Sequence, residues 1–498
     1  SWVKVRVDQS GLYRIKASEL RKMGFSDPSL VRVYGYGGYR QPDQLTAANY
    51  IDDLPLLQSV NDSDGVVFYA QGAYTRSLYN SSSGYIIHTP SVYSDYSYYF
   101  LSDSGAENRP IESIGSPVTT EPSTSFMEVA HHEKELVSPA EAGAQFLGED
   151  FRYTPTRTLS FNTPDAVSGG DAWFECSFAS EVFGAVSQLK FSANGTELPA
   201  VSEDNIAGAP SDEHYYGRAA TTHHSFSHSG DRLQLQINYV PGATCHAAWL
   251  DYVTLNYERR LALPASGYLA FSSSKRQLQL SNATGNVTIW DVTDPLNILK
   301  VDALAAGDKL SWTSGATGLR HYVAFKSNAS LAQPDAAGNV ANQNLHSLSD
   351  ADMVIVTFSQ WQNQAERLAE HHRNGPDSLQ VHVVDINQVY NEFGSGTADV
   401  SAIRKLCKML YDRGNEGKRP LRYVLLMGAA TFDERHLLEG TRSSRPYTIP
   451  GWQTKQMSLA LSDNQGFATD DFVGMLEDNE GGNLSSAYIS VAVGRIPV

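Results

Sequence analysis

Acidic residues crowd one short stretch of the chain, and carboxylates at this density can take part in chemistry. Residues 468–482 read ATDDFVGMLEDNEGG, with Asp470 and Asp471 adjacent and with Glu477 and Asp478 a few residues later. Such a loop can bind a cation or line a pocket for a basic substrate group. It can equally be a solvated turn whose aspartates cap turns and helix starts. All three interpretations stay open on the residues alone.

A nucleophile beside a base would be a second sign of catalysis, and the sequence offers no complete pair. Cys407 is the only cysteine after residue 346, and it lies on the apolar stripe of a predicted helix, which is typical of a core residue. A catalytic thiol belongs at a strand end, near a histidine that lowers its pKa. His436 follows the predicted strand RYVLLMG and has that place, but no cysteine can be assigned to it. The motifs GxSxG, HExxH, P-loop and GxGxxG after a strand are absent from the sequence.

Two further groups of metal-ligating or redox-active residues lie in the β-rich part of the chain. In THHSFSH, a strand would place His224 and His228 on one face and His223 on the other. Because no other ligand cluster is near, solvent-facing histidines are predicted in preference to a metal site. Cys176 and Cys245 allow either one disulfide bridge or two free core thiols.

The elements after residue 346 alternate between strand and helix. DMVIVTF, VHVVDI, RYVLLMG and ISVAVG are short apolar runs of the length of buried strands, and WQNQAERLAEHH and SAIRKLCKMLYDRG have helical spacing. This order predicts a parallel sheet with helices on both faces. Ligands of such sheets bind at the carboxyl ends of the strands, so the loops after Met427 and Val493 are the places to search.

The preceding residues predict several all-β units. A chain of 498 residues is too long for one hydrophobic core. Strand and turn signals predict a β-rich domain over 1–125, a β-sandwich over 126–260, and a small β domain with linker over 261–345. An α/β unit over 346–498 follows.

Composition excludes some classes of function. The net charge of −17 and the lack of a basic patch exclude nucleic acid as an expected partner. No run of eighteen apolar residues is present, so no membrane-spanning helix is expected. Ser1 opens directly into the strand pattern WVKVRV, which is typical of a mature or trimmed N-terminus. The high content of Tyr, Ser, Asn and Gly is typical of a bacterial cell-surface protein.

The order of motifs resembles the gingipain-type C25 cysteine peptidases, whose catalytic domain is caspase-like α/β. The matching stretches are DMVIVTF, the helix over 362–372, VHVVDI, NQVYNEFGSGTADVSAIRKL, RYVLLMGAATFD, ATDDFVGMLEDNEG and ISVAVGRIPV. Within that family the chain is most similar to the sortases of the type IX secretion system. VDQSGLYRI, VRVYGYGG, YYFLSDSG, FLGEDF and IWDVTDP extend this similarity through the N-terminal half.

The resemblance implies a multidomain fold, with sandwich-like all-β domains before an incomplete caspase-like subdomain. It also implies an enzyme on the outer face of the bacterial outer membrane, which cleaves a C-terminal sorting domain from secreted cargo. The cargo then passes through a Cys thioester to anionic lipopolysaccharide. Implied partners are such cargo proteins, the outer-membrane barrel PorV, and the subunits PorQ and PorZ. Two alternatives are a non-catalytic surface binding or scaffold module and a general secreted C25 cysteine protease.

The resemblance also carries over individual positions. Asp470 matches the substrate-pocket position of arginine-specific members and is the predicted substrate-binding residue. Asp471, Glu477 and Asp478 are predicted to hold a structural calcium ion, because hard oxygen ligands cluster there; no other cofactor is expected. The catalytic His and Cys are expected beyond Val498, in a subdomain that would follow the GRIPV strand. Ala429 replaces an acid that family members usually carry, whereas Asp433 is retained.

Overall fold

A computed structural model describes the chain except for residues 1, 104, 116, 142, 182–184, 204–217, 243–246, 418, 441–446, 455–466, 483 and 485. Antiparallel sheets dominate the first two thirds, and one all-parallel sheet with helices follows, which confirms the predicted fold class. In the described part of the chain, no helix is long and apolar enough to cross a membrane.

The N-terminal unit forms because alternating apolar residues give each strand one buried face. In β1, Val3, Val5 and Val7 are buried, whereas Trp2 and Lys4 lie on the opposite face. β1 pairs with β8, and β2 pairs with β5, all antiparallel. The elements are β1 (Trp2–Val7), β2 (Gly11–Lys16), α1 (Ala17–Lys22), a 3₁₀ turn (Pro28–Leu30), β3 (Arg32–Tyr34), β4 (Ser59–Asp62), β5 (Gly65–Ala70), β6 (Tyr74–Leu78), β7 (Ile86–Pro90) and β8 (Ser97–Ser102).

A β-sandwich follows, as the sequence predicted. Its strands, with the short β9 before them, are β9 (Glu112–Ile114), β10 (Ser125–Glu133), β11 (Thr156–Asn162), β12 (Gly170–Glu181), β13 (Ser187–Ala193), β14 (Thr196–Glu203), β15 (Arg218–His228), β16 (Arg232–Val240) and β17 (Ala247–Arg260). One sheet has the order β10-β17-β12-β15 and the other β11-β16-β13-β14. Phe174, Phe191 and Leu235 belong to the shared core.

The third group of strands connects back to the first unit. It contains β18 (Tyr268–Ser273), β19 (Gln277–Leu280), β20 (Val287–Asp291), β21 (Leu299–Val301), β22 (Leu304–Ala306), β23 (Lys309–Thr313), β24 (Arg320–Lys326) and β25 (Asp335–Val340). β25 pairs with β1, and β21 pairs with β9, so strand pairing crosses between the first and third predicted domains. The domain limits themselves stay a prediction.

The C-terminal unit is the predicted parallel sheet, in the order β27-β26-β28-β31. Its core includes Val354 and Leu406 on the face that α3 and α4 cover, and Ile355 and Ala365 on the face that α2 covers. The elements are β26 (Met353–Thr357), α2 (Gln362–Arg373), β27 (Val381–Asp385), α3 (Ile386–Phe393), α4 (Val400–Gly417), β28 (Tyr423–Met427), β29 (Trp452–Gln453), β30 (Ala468–Thr469) and β31 (Ala492–Ile496), with 3₁₀ turns at Leu345–Ser347, Ser359–Trp361 and Asp471–Gly474.

A loop of the N-terminal unit is joined to this α/β unit by buried hydrogen bonds. The Tyr36 hydroxyl donates a 2.6 Å hydrogen bond to the carbonyl of Phe393, and its backbone N–H donates to Ser395 Oγ at 3.0 Å. Lys405 of α4 is buried and donates to the Tyr36 hydroxyl at 3.1 Å and to Gln41 Oε1 at 3.2 Å. The two units therefore share buried polar contacts, and α4 is covered on more than its apolar stripe.

Candidate active-site edge

The carboxyl ends of the parallel strands meet at one edge, because all four strands run in the same direction. Thr357 ends β26, and its hydroxyl donates a 3.1 Å hydrogen bond to the carbonyl of Met427 at the end of β28. Within the described residues, the segments 428–440, 447–454 and 467–471 lie along or beside this edge. This is the region that the sequence predicted as the place for a ligand.

Asp433 organises the segment after β28. Its buried carboxylate accepts hydrogen bonds from the backbone N–H groups of Leu437 and Leu438, both at 2.8 Å. His436, the residue before Leu437, has a φ of +53°, and its Nε2 lies 3.3 Å from Thr448 Oγ1. The retained acid therefore acts on the loop backbone, and His436 lies after β28 as the sequence predicted.

Asp470 and Arg495 form an ion pair at this edge. The Arg495 Nε donates to Asp470 Oδ2 at 2.8 Å, and Nη2 donates to Oδ1 at 2.6 Å. The Nη1 of the same guanidinium donates to the carbonyls of Gly428 and Ile449, at 3.0 and 2.8 Å. Both oxygens of the predicted substrate-binding carboxylate are thus engaged by a residue of β31. Its role toward a substrate stays a prediction.

Glu434 is a titratable residue that sequence reasoning missed. Its Oε1 accepts from the Gly451 N–H at 3.2 Å and from the Gln453 amide at 3.3 Å. Burial raises the pKa of this carboxyl to about 8, although the Gly451 and Gln453 hydrogen bonds and Arg495 oppose that shift. At neutral pH, Glu434 is therefore mostly a neutral carboxylic acid, which can donate a proton beside the strand ends. The only signal in the sequence is its position after a buried strand.

Two of the three predicted calcium ligands have partners on α4. Asp478 pairs with Lys408 of α4 at 2.9 Å, and Glu477 Oε1 accepts a 2.7 Å hydrogen bond from the Tyr411 hydroxyl. Asp471 is exposed at the start of the Asp471–Gly474 turn. Among the described residues, no group of three or more His, Cys, Asp or Glu side chains is placed to hold a metal ion. The loop contacts α4 through two of these acids, and calcium binding stays a prediction.

The cysteines that the structure describes are core residues. Cys407 is a buried free thiol, and burial raises its pKa to about 12. Cys176 is also a buried free thiol, and burial first, then the nearby Asp251 and Glu175 carboxylates, raise its pKa. Of the two alternatives for Cys176, a disulfide or a free core thiol, the structure shows the free thiol. Cys245 lies outside the described residues. Neither described thiol suits nucleophilic attack, since the thiolate is the reactive form.

The prediction of solvent-facing histidines in THHSFSH is wrong for two of the three. His224 and His228 share one face of β15, as predicted, but that face is buried. The His224 ring packs between Phe174 and Phe191, and the pKa of His224 is lowered by burial. His223 lies on the other face, 2.8 Å from Glu175 Oε2. The His224 ring is buried because aromatic side chains of β12 and β13 pack against it. Strand periodicity alone cannot show which neighbours cover a histidine.

Comparison with known proteins agrees with this architecture. Residues 346–498 match the profile of Peptidase family C25, a family of cysteine peptidases. The crystal structure of dimeric latent PorU from Porphyromonas gingivalis is similar with a TM-score of 0.88 and 28% identity, covering 100% of this chain and 48% of that one. This chain thus spans about half the length of that PorU chain. The chain is PorU-like throughout and carries a C25-type segment.

Other similarities are far weaker. The C-terminal CBM6 of LamC, a laminarinase of Zobellia galactanivorans, is 14% identical, with a TM-score of 0.17, and covers 26% of this chain and 98% of that one. A score this low carries no argument about fold or function. No curated protein matches the chain.

Proposed function

Because residues 346–498 match Peptidase family C25 and the whole chain is PorU-like, we propose that it belongs to a cell-surface sortase of the type IX secretion system. The sortase cleaves the C-terminal sorting domain from secreted cargo and transfers the cargo to anionic lipopolysaccharide. The observation that carries this proposal is the TM-score of 0.88 over the entire chain. A C25 segment alone would fit any peptidase of the family. The similarity of the β domains to those of PorU favours a sortase over the other peptidases of that family.

The proposed chemistry is acyl transfer through a thioester. A cysteine thiolate attacks the peptide carbonyl and expels the sorting domain, to whose new amino group the histidine gives a proton. An amine of the acceptor then attacks the thioester carbonyl, the thiolate leaves, and the histidine takes the proton from the amine. The buried Cys176 and Cys407 do not fit this role, so the proposal leaves both catalytic residues unassigned in this chain.

The described residues are proposed to support that chemistry. The strand ends and the loops beside them form a platform on which a substrate peptide can lie. Asp470 is the proposed substrate-binding residue, and Arg495 holds its carboxylate in a fixed orientation. Because the carboxylate is already neutralised, we expect no strong preference for a basic residue at this position.

Location and partners belong to the same proposal. The protein would act on the outer face of the outer membrane, with the barrel PorV and the subunits PorQ and PorZ. Its substrates would be cargo proteins with a C-terminal sorting domain, and lipopolysaccharide would be the acceptor. A structural calcium ion at Asp471, Glu477 and Asp478 remains proposed as well.

Deleting the gene in its source bacterium tests the proposal. Secreted cargo should then keep its sorting domain and should lack attached lipopolysaccharide, and the mass of its polypeptide should rise by the mass of the retained domain. Returning the gene should reverse these changes. Genes that carry Cys176→Ala or Cys407→Ala should reverse them as well as the parent gene does. Cargo with unchanged mass after deletion would overturn the sortase. Loss of general peptide cleavage without any change in cargo would favour the secreted C25 protease instead.

A further inference from the structure

A cavity of about 320 Å³ lies between the N-terminal sheet and the α/β unit. Trp2 of β1, Tyr34 of β3 and Phe100 of β8 line one side, and Asn344 and Asn391 line the other. We call it the Trp2 cavity. Its volume falls at the lower end of the range for small-ligand sites, and junctions between domains are common places for such sites. It involves none of the residues of the candidate active-site edge.

The aromatic wall belongs to the outer face of the sheet. Trp2 and Tyr34 meet edge to face, with ring centroids 5.0 Å apart and an interplanar angle of 61°. The two rings therefore form a corner and not a parallel slot. A corner of two rings suits a compact ammonium group, because a planar guanidinium stacks best against one flat ring.

The carboxylates that line the cavity differ in how far the protein already uses them. Glu392 is buried and accepts from the Leu345 N–H at 2.7 Å, from the Gln343 amide at 2.9 Å, and lies 2.8 Å from His346 Nδ1. Asp53 is exposed and accepts one 2.7 Å hydrogen bond, from the Leu54 N–H to Oδ1. Asp53 also helps to raise the pKa of His346 in the same cavity, but it is exposed at the rim and less engaged than Glu392, so it can still pair with a cation beside the rings.

The same sheet face already holds cations of the protein in this way. Lys4 Nζ lies 4.2 Å from the centroid of Tyr98, and the Arg6 guanidinium lies 4.4 Å from that of Tyr96. Lys4 directs its ammonium to the carbonyl of Gly396 at 2.7 Å, so it is anchored to the α/β unit. The aromatic surface thus holds one ammonium and one guanidinium of the protein, and Lys4 Nζ also lies 5.8 Å from the centroid of Phe100, which lines the cavity. The corner of Trp2 and Tyr34 is the part of this surface where an external cation can bind.

We propose that the Trp2 cavity binds the ammonium group of a lysine side chain presented by a peptide. Trp2 and Tyr34 hold the cation against their faces, and Asp53 pairs with it at the rim. Asn344 lines the cavity at an exposed position and offers its amide to the peptide backbone, whereas the Asn391 amide is already engaged by Lys4 and Gln343. This binding does not depend on the proposed sortase activity, because it needs no nucleophile and no cargo.

Ligand-observed NMR on the chain tests the proposal with Nα-acetyl-lysine-N-methylamide as the probe. We expect millimolar binding that weakens with salt, and binding at least tenfold weaker for the Nε-acetylated probe, which lacks the charge. Asp53→Asn keeps the acceptor for Leu54 and should raise the Kd at least fivefold, as should Trp2→Ala. Asp231→Asn and Tyr153→Ala, at exposed positions of the sandwich, should leave the Kd unchanged.

Three results would overturn the proposal. They are equal binding of the acetylated probe, an unchanged Kd in Asp53→Asn, and tighter binding of methyl glucoside than of the lysine probe. The last would assign the aromatic corner to a neutral sugar. Circular dichroism of each variant separates lost binding from lost folding, and Asp53→Asn alone decides the matter if Trp2→Ala does not fold.

Discussion

Arg495 donates two hydrogen bonds to the carboxylate of Asp470, one to each oxygen, at 2.8 and 2.6 Å. The guanidinium comes from strand β31, and the carboxylate lies just before the Asp471–Gly474 turn. Since Arg495 also binds the carbonyls of Gly428 and Ile449, one side chain joins β31, the end of β28 and two loops. The acid that the sequence predicts as a substrate ligand is therefore a structural anchor of this edge, and its role toward a substrate stays a prediction.

Replacing Arg495 by glutamine should loosen this edge locally. The pair is mostly buried, with 12% of the arginine and 25% of the aspartate side chain exposed, so the loss should cost about 2 kcal/mol. Hydrogen–deuterium exchange should become ~30-fold faster in β31 and in residues 448–451. Arg367→Gln, at an exposed position of α2, should leave these rates unchanged. Equal exchange in both variants would show that the pair adds nothing to local stability.

An added guanidinium ion should replace the missing side chain. In Arg495→Ala, the Asp470 carboxylate faces the space left by the guanidinium, so millimolar methylguanidinium should restore part of the lost protection. The double variant Arg495→Ala/Asp470→Asn should not respond, because its acceptor is neutral. A response of the double variant would mean that the ion acts elsewhere.

Cys176 and Cys407 should resist alkylation in the native chain. Burial raises the pKa of Cys407 to about 12, so only about one molecule in 10⁴ carries the thiolate at pH 8. Iodoacetamide followed by peptide mass spectrometry should label both residues only after unfolding. Rapid native labelling of Cys407 would contradict its place in the core and would reopen it as a candidate nucleophile.

Tyr36→Phe should weaken the contact between the N-terminal unit and the α/β unit. The change removes the hydrogen bond to Phe393 and one of the acceptors that surround the buried Lys405 ammonium. A loss of about 2 kcal/mol is expected, since a buried charge is left with fewer partners. Limited proteolysis should cleave near residues 36–41 or 393–397 faster than in the parent chain. Tyr153→Phe, at a mostly exposed ring, serves as the control, and identical cleavage in both would contradict the prediction.

The sequence predicts the α/β unit well because its signals are local. Val354 and Leu426 lie in runs of apolar residues that have the length of a buried strand, and both are buried in the parallel sheet. Ile403, Leu406 and Cys407 share one stripe of α4 and are all buried. Such patterns depend only on the period of the helix or strand, so they can be recognised in the sequence without knowledge of the tertiary contacts.

The burial of cations on α4 could not be predicted in that way. Arg404, Lys405 and Lys408 lie off the apolar stripe, yet all three are buried. Arg404 donates to the carbonyls of Asp43, Met475 and Glu480, at 2.6, 2.7 and 3.0 Å. These partners come from segments 71 to 361 residues away in sequence. Helical period cannot show which distant loops will cover the polar face.

Contacts with α4 also explain why acidic residues cluster in the loop that motivated the search for a metal site. Asp478 pairs with Lys408, and the carbonyl of Leu476 accepts a 2.9 Å hydrogen bond from the same ammonium. Glu477 accepts from Tyr411, one turn further along α4. The loop therefore finds cationic and hydroxyl partners on a helix some 66 to 70 residues earlier, an arrangement that the spacing of acids alone does not reveal.

Glu434→Gln should change how stability depends on pH. The folded pKa of about 8 lies above the ordinary value of 4.5, so between these limits the folded state holds a proton that the unfolded state has lost. The contribution of Glu434 to the stability of the fold is therefore complete below pH 4.5 and declines as pH rises toward 8.

Glutamine keeps the Oε1 acceptor for Gly451 and Gln453 without this titration. The Tm of the variant relative to the parent should thus rise between pH 5 and 8.5 and then level off. Glu370→Gln, on the exposed face of α2, should run parallel to the parent throughout. Parallel curves for Glu434→Gln as well would place an ordinary, charged glutamate at this edge of the sheet.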